Sequence, residues 1–264
     1  MYNFNYHRAV SLDEAKTLLA KASDAKLMAG GMTLLPSLKL RLAKVSDLVD
    51  IGGIAALKEI RREGNAISIG AMTPHATVAD SDAVKSAIPA LAKLAGGIGD
   101  PQVRNRGTIG GSIANNDPAA DYPAAVLSLN ATIHTTQRSI KADDFFKAIF
   151  ETALKPGEII TSVSFPIPEK AGYAKFPNPA SRYAMVGVFI AKTGGAVRVA
   201  VTGAGPVVFR SAEMEKALAG NFSADAVKDF KASAAGLNSD IHGSAEYRAH
   251  LITVMAKRAV AAAG

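Results

Sequence analysis

The chain has 264 residues, of which 48% are hydrophobic and 20% are charged, and its formal net charge is +7. This composition predicts a globular protein of two or three modest domains and excludes disorder, a collagen-like repeat or a coiled coil for the whole chain. The scattered basic residues, without interleaved aromatics, argue against a nucleic-acid interface. The chain has no cysteine, which excludes a disulfide framework, a thiol nucleophile and an iron–sulfur cluster held by this chain.

The first fifty residues predict a βαβ-type unit. Ser11 and Glu14 form a capping-box pattern at the start of an amphipathic helix. A short strand follows at residues 25–29, a second helix opens near Thr33, and a strand at residues 47–51 closes the unit.

The middle of the chain predicts a further mixed α/β segment. Its pattern indicates a hairpin, then helices up to Ala95, then a glycine-dense stretch, then a helix and two strands. The hairpin strands are predicted at 57–62 and 66–69, the late helix at 121–129, and the late strands at 131–135 and 158–165.

The last third of the chain has a different character. Four prolines between residues 166 and 179 predict a domain boundary near residue 170. Beyond it, residues 183–191 and 196–202 predict an antiparallel pair. Three helices are predicted at about 211–219, 223–235 and 244–262.

Two glycine-rich turns are candidates for an anion site. They are Ala29–Thr33, between a strand and a helix, and Thr108–Ser112. Paired glycines let backbone N–H groups approach an anion closely, and a pyrophosphate suits two such turns. Either turn alone is more typical of a tight turn that binds nothing, whereas the two turns together leave both interpretations open. No Gly-x-Gly-x-x-Gly follows a strand and no Walker sequence is present, which argues against a Rossmann site or a P-loop.

Asp121 and the histidines are the remaining candidates for ligand binding, metal binding or catalysis. Asp121 stands at the start of a predicted helix, where it either caps the helix or accepts hydrogen bonds from ligand hydroxyls. The five histidines form no close pair of the kind that binds metals, so we predict no metal site and no catalytic residue in this chain.

A family resemblance rests on several separated motifs. They are Ala29-Gly30-Gly31 with residues 34–39, then residues 102–112, Asn115 and Asp121, and finally residues 175–187 and 199–205. With these motifs, which span essentially the whole chain, the sequence resembles the FAD-binding medium subunits of the molybdenum hydroxylases, the xanthine dehydrogenase family. Within that family it is most similar to the medium subunits of aerobic carbon monoxide dehydrogenases.

The resemblance implies an α+β fold of the FAD-binding type-2 (PCMH-like) kind. Residues 1–170 would form the FAD-binding domain, in two α/β subdomains of about 1–52 and 53–170. Residues 171–264 would form a C-terminal domain of antiparallel strands and a helix bundle.

The resemblance also implies the residues that hold FAD. The pyrophosphate would lie between Ala29, Gly30, Gly31, Met32, Thr33, Leu34, Thr108, Ile109, Gly110, Gly111 and Ser112. The ribityl and phosphate region would contact Asn115 and Asp121, and the flavin ring would contact Ile98, Ile160, Lys175 and Tyr183. Met32 departs from the family pattern, where a polar residue is frequent, so the first turn would depend on backbone donors.

The resemblance finally implies partners and a role. Electrons from a molybdopterin cofactor in a large subunit would pass through the [2Fe-2S] clusters of a small subunit to FAD, then to a quinone or another acceptor. The complex would be a cytoplasmic dimer of heterotrimers that associates with the inner face of the membrane and oxidises carbon monoxide. The alternatives are a related aldehyde, purine or N-heterocycle dehydrogenase, a stand-alone FAD reductase such as the peptidoglycan-precursor reductase, and a binding module without flavin.

Overall fold

The computed structural model describes residues 1–263, and its N-terminal part is a small parallel sheet with two connecting helices. The strands β1 (Asn5–Arg8), β2 (Lys26–Met28) and β3 (Asp47–Asp50) pair in the order β1-β3-β2. The helices α1 (Leu12–Lys21) and α2 (Leu34–Lys39) connect them. The predicted βαβ-type unit is confirmed.

The start of α1 shows how the sequence fixes a boundary. Ser11 Oγ accepts a hydrogen bond from the Glu14 N–H at 3.1 Å, as a capping residue does. The Glu14 carboxylate reaches back to the Val10 N–H at 2.8 Å, one residue earlier than in the usual capping box. Two N–H groups at the start of the helix region are therefore satisfied by side chains.

The central part is built on an antiparallel five-stranded sheet. Its strand order is β4-β5-β10-β6-β7, and a separate hairpin, β8–β9, lies outside it. The bounds are β4 (Ile60–Glu63), β5 (Ala66–Gly70), β6 (Thr132–Thr135), β7 (Ser139–Lys141), β8 (Phe146–Ala148), β9 (Glu151–Thr152) and β10 (Ile160–Pro166). The apolar residues of β5, β6 and β10 are buried in the largest core of the molecule.

Seven short helices cover this sheet. They are α3 (His75–Asp80), α4 (Asp82–Ala87), α5 (Pro89–Gly96), α6 (Pro101–Arg106), α7 (Ile109–Asn115), α8 (Tyr122–Ser128) and α9 (Ala142–Phe145). The helical stretch predicted up to Ala95 is three helices, because Ser81 caps a new helix and Pro89 begins another. After these breaks, the chain at the end of α6 and the start of α7 lies against the turn that follows β2, where a Cβ at Gly30 would lie 2.0 Å from the Arg106 carbonyl oxygen.

The C-terminal part is a four-stranded antiparallel sheet with two helices. Its strands are β11 (Lys170–Pro177), β12 (Ala184–Thr193), β13 (Ala196–Thr202) and β14 (Phe209–Arg210), and its helices are α10 (Ala212–Gly220) and α11 (Ala245–Ala261). The predicted antiparallel pair is confirmed. The helix predicted at 223–235 is wrong, since only a 3₁₀ turn at Ala224–Val227 forms there.

The C-terminal sheet is joined to the central part through α8. Tyr173 and Phe189 belong to the same buried core as Tyr122, and the Ser128 hydroxyl donates to the Phe189 carbonyl at 2.7 Å. The turn between β11 and β12 thereby reaches a cleft at the junction of the three parts. Among residues 1–263, no helix combines the length and the apolar composition that a membrane crossing requires.

Candidate cofactor site

A cleft of about 570 Å³ lies where the three parts of the molecule meet. Its walls are the segment after β2, the segment around the start of α7, and residues 181–183 between β11 and β12. The cleft therefore needs the N-terminal sheet, the central helices and the C-terminal sheet together.

The two glycine turns form one continuous surface in this cleft because they pack against each other. A Cβ at Gly30 would lie 2.0 Å from the Arg106 carbonyl oxygen, and a Cβ at Gly111 would lie 3.2 Å from the Ala29 Cβ. Neither position leaves room for a large side chain. The glycines are thus required by the contact between the two turns.

The first turn presents unused backbone donors. Within residues 1–263, the N–H groups of Gly30, Gly31, Met32 and Thr33 donate to no protein acceptor, and all four residues line the cleft. Gly31 has φ of 75°, the left-handed conformation that glycine adopts at little cost. Successive free N–H groups in such a turn form a concave site for an anion.

The second turn contributes hydroxyls, because its N–H groups are already engaged. The Ile109 and Gly110 N–H groups donate to carbonyls of residues 73 and 71 at 3.2 and 2.8 Å, and the Gly111 N–H donates to Thr108 Oγ1 at 3.1 Å. Thr108 and Ser112 line the cleft. The two turns therefore play different roles: the first offers N–H groups and the second offers side-chain hydroxyls.

A buried ion pair lies behind the opposite wall. Asp121 Oδ1 accepts a hydrogen bond from the Tyr173 hydroxyl and lies 2.8 Å from Lys175 Nζ. Burial raises the pKa of the Asp121 carboxyl, although the Lys175 ammonium opposes the rise. Burial and the nearby Asp121 carboxylate both raise the pKa of the Tyr173 hydroxyl. Asp121 lines the cleft and Lys175 does not.

The same ammonium group belongs to a set of cations that holds the turn at residues 97–99. Lys175 Nζ donates to the carbonyl of residue 97 at 2.9 Å, Arg104 donates to the next two carbonyls at 3.1 and 3.0 Å, and Arg182 donates to the last of them at 3.3 Å. Three cations thus fix three successive carbonyls. The turn directs Ile98 to the cleft wall.

His75 is a cleft residue that the sequence did not single out. It is buried, and burial together with the nearby Arg104 lowers the pKa of its imidazole to about 4, so the ring is neutral at pH 7. Its Nδ1 has no hydrogen-bond partner within residues 1–263, nor do the buried hydroxyls of Thr73 and Tyr122. The His75 and Tyr122 rings are 5.3 Å apart, so these polar groups lie in one buried region behind the second turn.

Glu158 is a second cleft residue that the sequence did not predict. Burial raises the pKa of its carboxyl, but hydrogen bonds from Arg138, the Lys155 N–H and Thr135 outweigh this effect and hold the pKa at about 2. Its oxygens are occupied by these donors at 2.7–3.3 Å. Glu158 therefore supports the start of β10, next to Ile160, and offers no free acceptor.

The structure brings most of the predicted site residues together. All of them except Ile109 and Lys175 line this one cleft. Ile109 is fully buried in the central core, and Lys175 lies behind Asp121. The cleft residues that the sequence did not predict are Lys26, Leu27, Met28, Ile51, Ala71, Met72, His75, Gly99, Val103, Gly107, Ala114, Asp117, Ala120, Leu154, Glu158, Ile159, Ser181 and Arg182.

The lining chemistry fits a dinucleotide with a central pyrophosphate. The four free N–H groups and two hydroxyls suit the phosphates, and the apolar walls at Ile98, Ile159 and Ile160 suit flat ring systems. Across the described residues 1–263, no group of three or more His, Cys, Asp or Glu side chains is placed to hold a metal ion.

Comparisons with known proteins agree with this chemistry. Residues 2–168 match the family "FAD binding domain in molybdopterin dehydrogenase", and residues 171–263 match the "CO dehydrogenase flavoprotein C-terminal domain". The chain is 35% identical to the nicotine 6-hydroxylase medium subunit of Paenarthrobacter nicotinovorans and 36% identical to the carbon monoxide dehydrogenase medium chain of Hydrogenophaga pseudoflava, over 98% of this chain and 96% of either relative.

A solved structure extends the similarity to the whole fold. A chain of the carbon monoxide dehydrogenase from Hydrogenophaga pseudoflava superimposes with a TM-score of 0.87 at 35% sequence identity, covering 99% of this chain and 97% of that chain. The predicted fold class and family resemblance are confirmed. The chain belongs to the FAD-binding medium subunits of the molybdenum hydroxylases, a family of oxidoreductase subunits.

Proposed function

We propose that this chain is the electron-transfer subunit of a heteromeric molybdenum hydroxylase and binds one FAD in the cleft. The observation that carries the proposal is the row of free N–H groups at Gly30–Thr33, which lines the cleft directly beside the second glycine turn. Residues 1–170 supply both turns, and residues 171–264 supply the wall at 181–183. When bound, FAD would accept electrons in pairs and release them to an acceptor.

The residues of the cleft would position FAD in three regions. The first turn, with the hydroxyls of Thr108 and Ser112, would bind the phosphates. Asn115 and Asp121 would face the ribityl hydroxyls, and Asp121 is fixed there by its bonds with Tyr173 and Lys175. A carboxylate that is already oriented loses little entropy when it accepts a further hydrogen bond.

Ile98 and Tyr183 would pack on the flavin ring, with Ile160 as a further apolar contact. Lys175 would act on the ring only indirectly, since its ammonium group donates to the carbonyls of residues 97 and 182 as well as pairing with Asp121. This is a different role from a direct contact with the ring. Lys175 would instead set the position of Ile98 and of Asp121.

The electron donor must belong to another subunit, because a chain without cysteine lacks the usual ligands of an iron–sulfur cluster. We propose a small subunit with [2Fe-2S] clusters as the donor and a large subunit with the molybdopterin cofactor as the site of substrate oxidation. The proposed acceptor is a quinone or a similar molecule. A dimer of heterotrimers in the cytoplasm, associated with the inner face of the membrane, is the proposed assembly.

Carbon monoxide stays the predicted substrate of the complex, with N-heterocycles, aldehydes and purines as the alternatives. The identities to a carbon monoxide dehydrogenase chain and to a nicotine hydroxylase chain are 36% and 35%, which favours neither substrate. The substrate would be oxidised on the large subunit. Its chemistry is therefore set outside this chain.

Purification of the chain with its partner subunits tests the proposal. We expect a yellow complex with one FAD per chain, released by denaturing precipitation, and with molybdenum and iron in the other subunits. Removing FAD should stop turnover with the acceptor while substrate still reduces the iron–sulfur clusters. Full turnover in the flavin-free complex would show that electrons leave from another subunit.

A further inference from the structure

The imidazole of His75 forms part of the cleft wall and has unused hydrogen-bonding atoms. The residue is 4% exposed and lines the cleft. Its Nδ1 is sealed from solvent without a partner in the part of the chain that the structure describes, whereas its Nε2 is not sealed. Because a buried polar atom without a partner costs free energy, Nδ1 needs a partner inside the protein, and Nε2 is left for a group in the cleft.

Gly107 leaves the room that this ring occupies. Its φ of −62° and ψ of 142° are open to any residue, so the backbone conformation does not require glycine there. A Cβ at this position would lie 2.6 Å from His75 Nε2 and 2.9 Å from His75 Cδ2. The glycine is therefore required by the imidazole, whose Nε2 edge lies beside Gly107 on the cleft wall.

The backbone places this edge at the second glycine turn. The His75 N–H donates to the Gly107 carbonyl at 2.9 Å, and Pro74 forms a β-bridge with Thr108, the first residue of the turn. The N–H groups of residues 109–111 donate within the protein, so three donors of the turn are not available to an anion. An imidazole N–H beside Gly107 would supply a donor in their place.

A buried hydroxyl behind the ring bears on which nitrogen carries the proton. The ring centroids of Tyr122 and His75 are 5.3 Å apart, and the Tyr122 hydroxyl is sealed from solvent with no partner among residues 1–263. Burial and the Asp121 carboxylate raise the pKa of this hydroxyl, so it keeps its proton and needs an acceptor. A neutral imidazole has one acceptor nitrogen, and a hydroxyl that donates towards Nδ1 leaves the proton of the ring on Nε2.

We propose that His75 is a further FAD-binding residue whose Nε2–H donates to a pyrophosphate oxygen beside the second glycine turn, and that the Tyr122 hydroxyl, directly or through one buried water, holds the imidazole in this tautomer. This inference rests on the proposed function, since it assumes that FAD lies in the cleft. Tyr122 is a positioning residue that acts through His75. Burial and the nearby Arg104 lower the pKa of His75 to about 4, so the ring binds the phosphate as a neutral donor at pH 7.

Titration of FAD into the flavin-free full chain tests the contact. His75→Leu keeps a side chain in the wall but has no N–H, and we expect the FAD affinity to fall roughly 10- to 100-fold, as for a lost hydrogen bond to a charged group. His75→Gln should recover most of the affinity, because its amide N–H can take the place of Nε2–H. His250→Leu, at an exposed histidine outside the cleft, is the matched control and should bind FAD as the unaltered chain does.

Two spectra distinguish a cofactor contact from a role in packing. In ¹⁵N spectra of the chain with labelled histidine, His75 Nε2 should carry the proton, and its resonance should shift when FAD binds. Tyr122→Phe should move part of this proton to Nδ1, because the hydroxyl that selects the tautomer is gone. In ³¹P spectra of bound FAD, His75→Leu should shift a pyrophosphate resonance, whereas His250→Leu should shift neither.

The outcomes separate this inference from the proposed function. Unchanged FAD affinity in folded His75→Leu, or a loss that His75→Gln does not recover and that leaves both ³¹P resonances in place, would overturn the inference. A proton on Nδ1 in the unaltered chain with FAD bound would overturn it as well. Failure of the unaltered chain to bind FAD, alone and with its partner subunits, would instead overturn the proposed function.

Discussion

Gly111 lies where the two glycine turns of the candidate cofactor cleft touch. A Cβ there would lie 3.0 Å from Thr108 Oγ1 and 3.2 Å from the Ala29 Cβ. We predict that Gly111→Val pushes the turns apart, since a β-branched side chain cannot rotate out of this contact. FAD content should fall below a tenth of normal while circular dichroism stays unchanged.

The control for this substitution is Gly220→Val. A Cβ at Gly220 would meet no other atom within 4 Å, and the residue lies at the end of α10, away from the cleft. This variant should retain FAD. Normal FAD in folded Gly111→Val would contradict the role of the second turn.

The pair of Asp121 and Lys175 gives the second prediction. Asp121→Ala leaves a buried ammonium group without its carboxylate, which costs about 3–5 kcal/mol of unfolding free energy. The neutral combination of Asp121→Asn with Lys175→Met should recover most of that loss, because no uncompensated charge remains. Urea unfolding of the single and combined variants measures the coupling.

An exposed pair serves as the comparison. Lys192 lies 3.7 Å from Glu169, and both side chains are at least a third exposed. Lys192→Met should change the unfolding free energy by less than about 1 kcal/mol. Equal losses for Lys192→Met and Asp121→Ala would show that burial does not strengthen the Asp121 pair.

At the residue scale, local motifs mark most of the predicted FAD-binding residues. The two glycine turns, Asp121 and Tyr183 stand in motifs, and the structure brings them to one cleft. His75 and Glu158 carry no such mark, because their roles come from burial and from partners distant in sequence. Lys175 has a motif, but its carbonyl partners at residues 97 and 182 could not be read from it.

At the element scale, α11 packs so closely on β11 that this contact leaves the least room for a side chain at a glycine. A Cβ at Gly172 would lie 1.9 Å from the carbonyl oxygen of Ala259, in the last turns of α11. We predict that Gly172→Ala destabilises the protein by about 1–3 kcal/mol, since the helix must move away from the sheet. Thermal unfolding should show a lower Tm, and FAD content should stay normal because Gly172 lies outside the cleft.

Gly220→Ala is the control for this contact, since it adds the same methyl group at an open helical position. It should leave the Tm unchanged or slightly raised. A Tm for Gly172→Ala equal to that of the control would show that α11 does not depend on this close approach.

The elements that the sequence missed share a physical cause. The sequence predicts a domain boundary near residue 170 but not strand β11, whose pairing with β12 runs from residue 170 to residue 177. The segment at 223–235 has apolar residues at helical spacing, yet only one 3₁₀ turn forms, because Phe222, Val227 and Phe230 pack individually into the C-terminal core. Tertiary packing decided both cases, whereas the hairpins and long helices followed from local pattern.

At the scale of the whole molecule, three buried polar groups respond to pH, and one of them, Asp121, joins the central part to the C-terminal sheet. His75 lies between the central helices and the second turn, and Arg104 is the charged group that faces it. Glu158 ties β10 to Arg138, and Asp121 ties α8 to β11. Each of these groups titrates differently in the folded and the unfolded chain.

The direction in which each group changes the stability of the fold with pH follows from the shift of its pKa. The pKa of His75 is lowered from 6.5 to about 4, so the unfolded chain binds the extra proton first and stability falls as the pH falls from 6.5 towards 4. The lowered pKa of Glu158, about 2, removes stability only below about pH 4.5. The raised pKa of Asp121 acts in the opposite direction as its carboxyl takes up a proton.

We therefore predict that the protein loses up to about 3 kcal/mol of unfolding free energy between pH 7 and pH 4.5, and that most of this loss comes from His75. His75→Gln should flatten the pH dependence in that window, because glutamine has no proton to gain, even if the variant is less stable at pH 7. Urea midpoints at pH 7, 6, 5 and 4.5 give the slope, and His250→Gln, at an exposed histidine, should keep it. An unchanged slope in His75→Gln would assign the loss to the surface carboxylates and would leave the neutral, buried imidazole without a measurable role in the acid response.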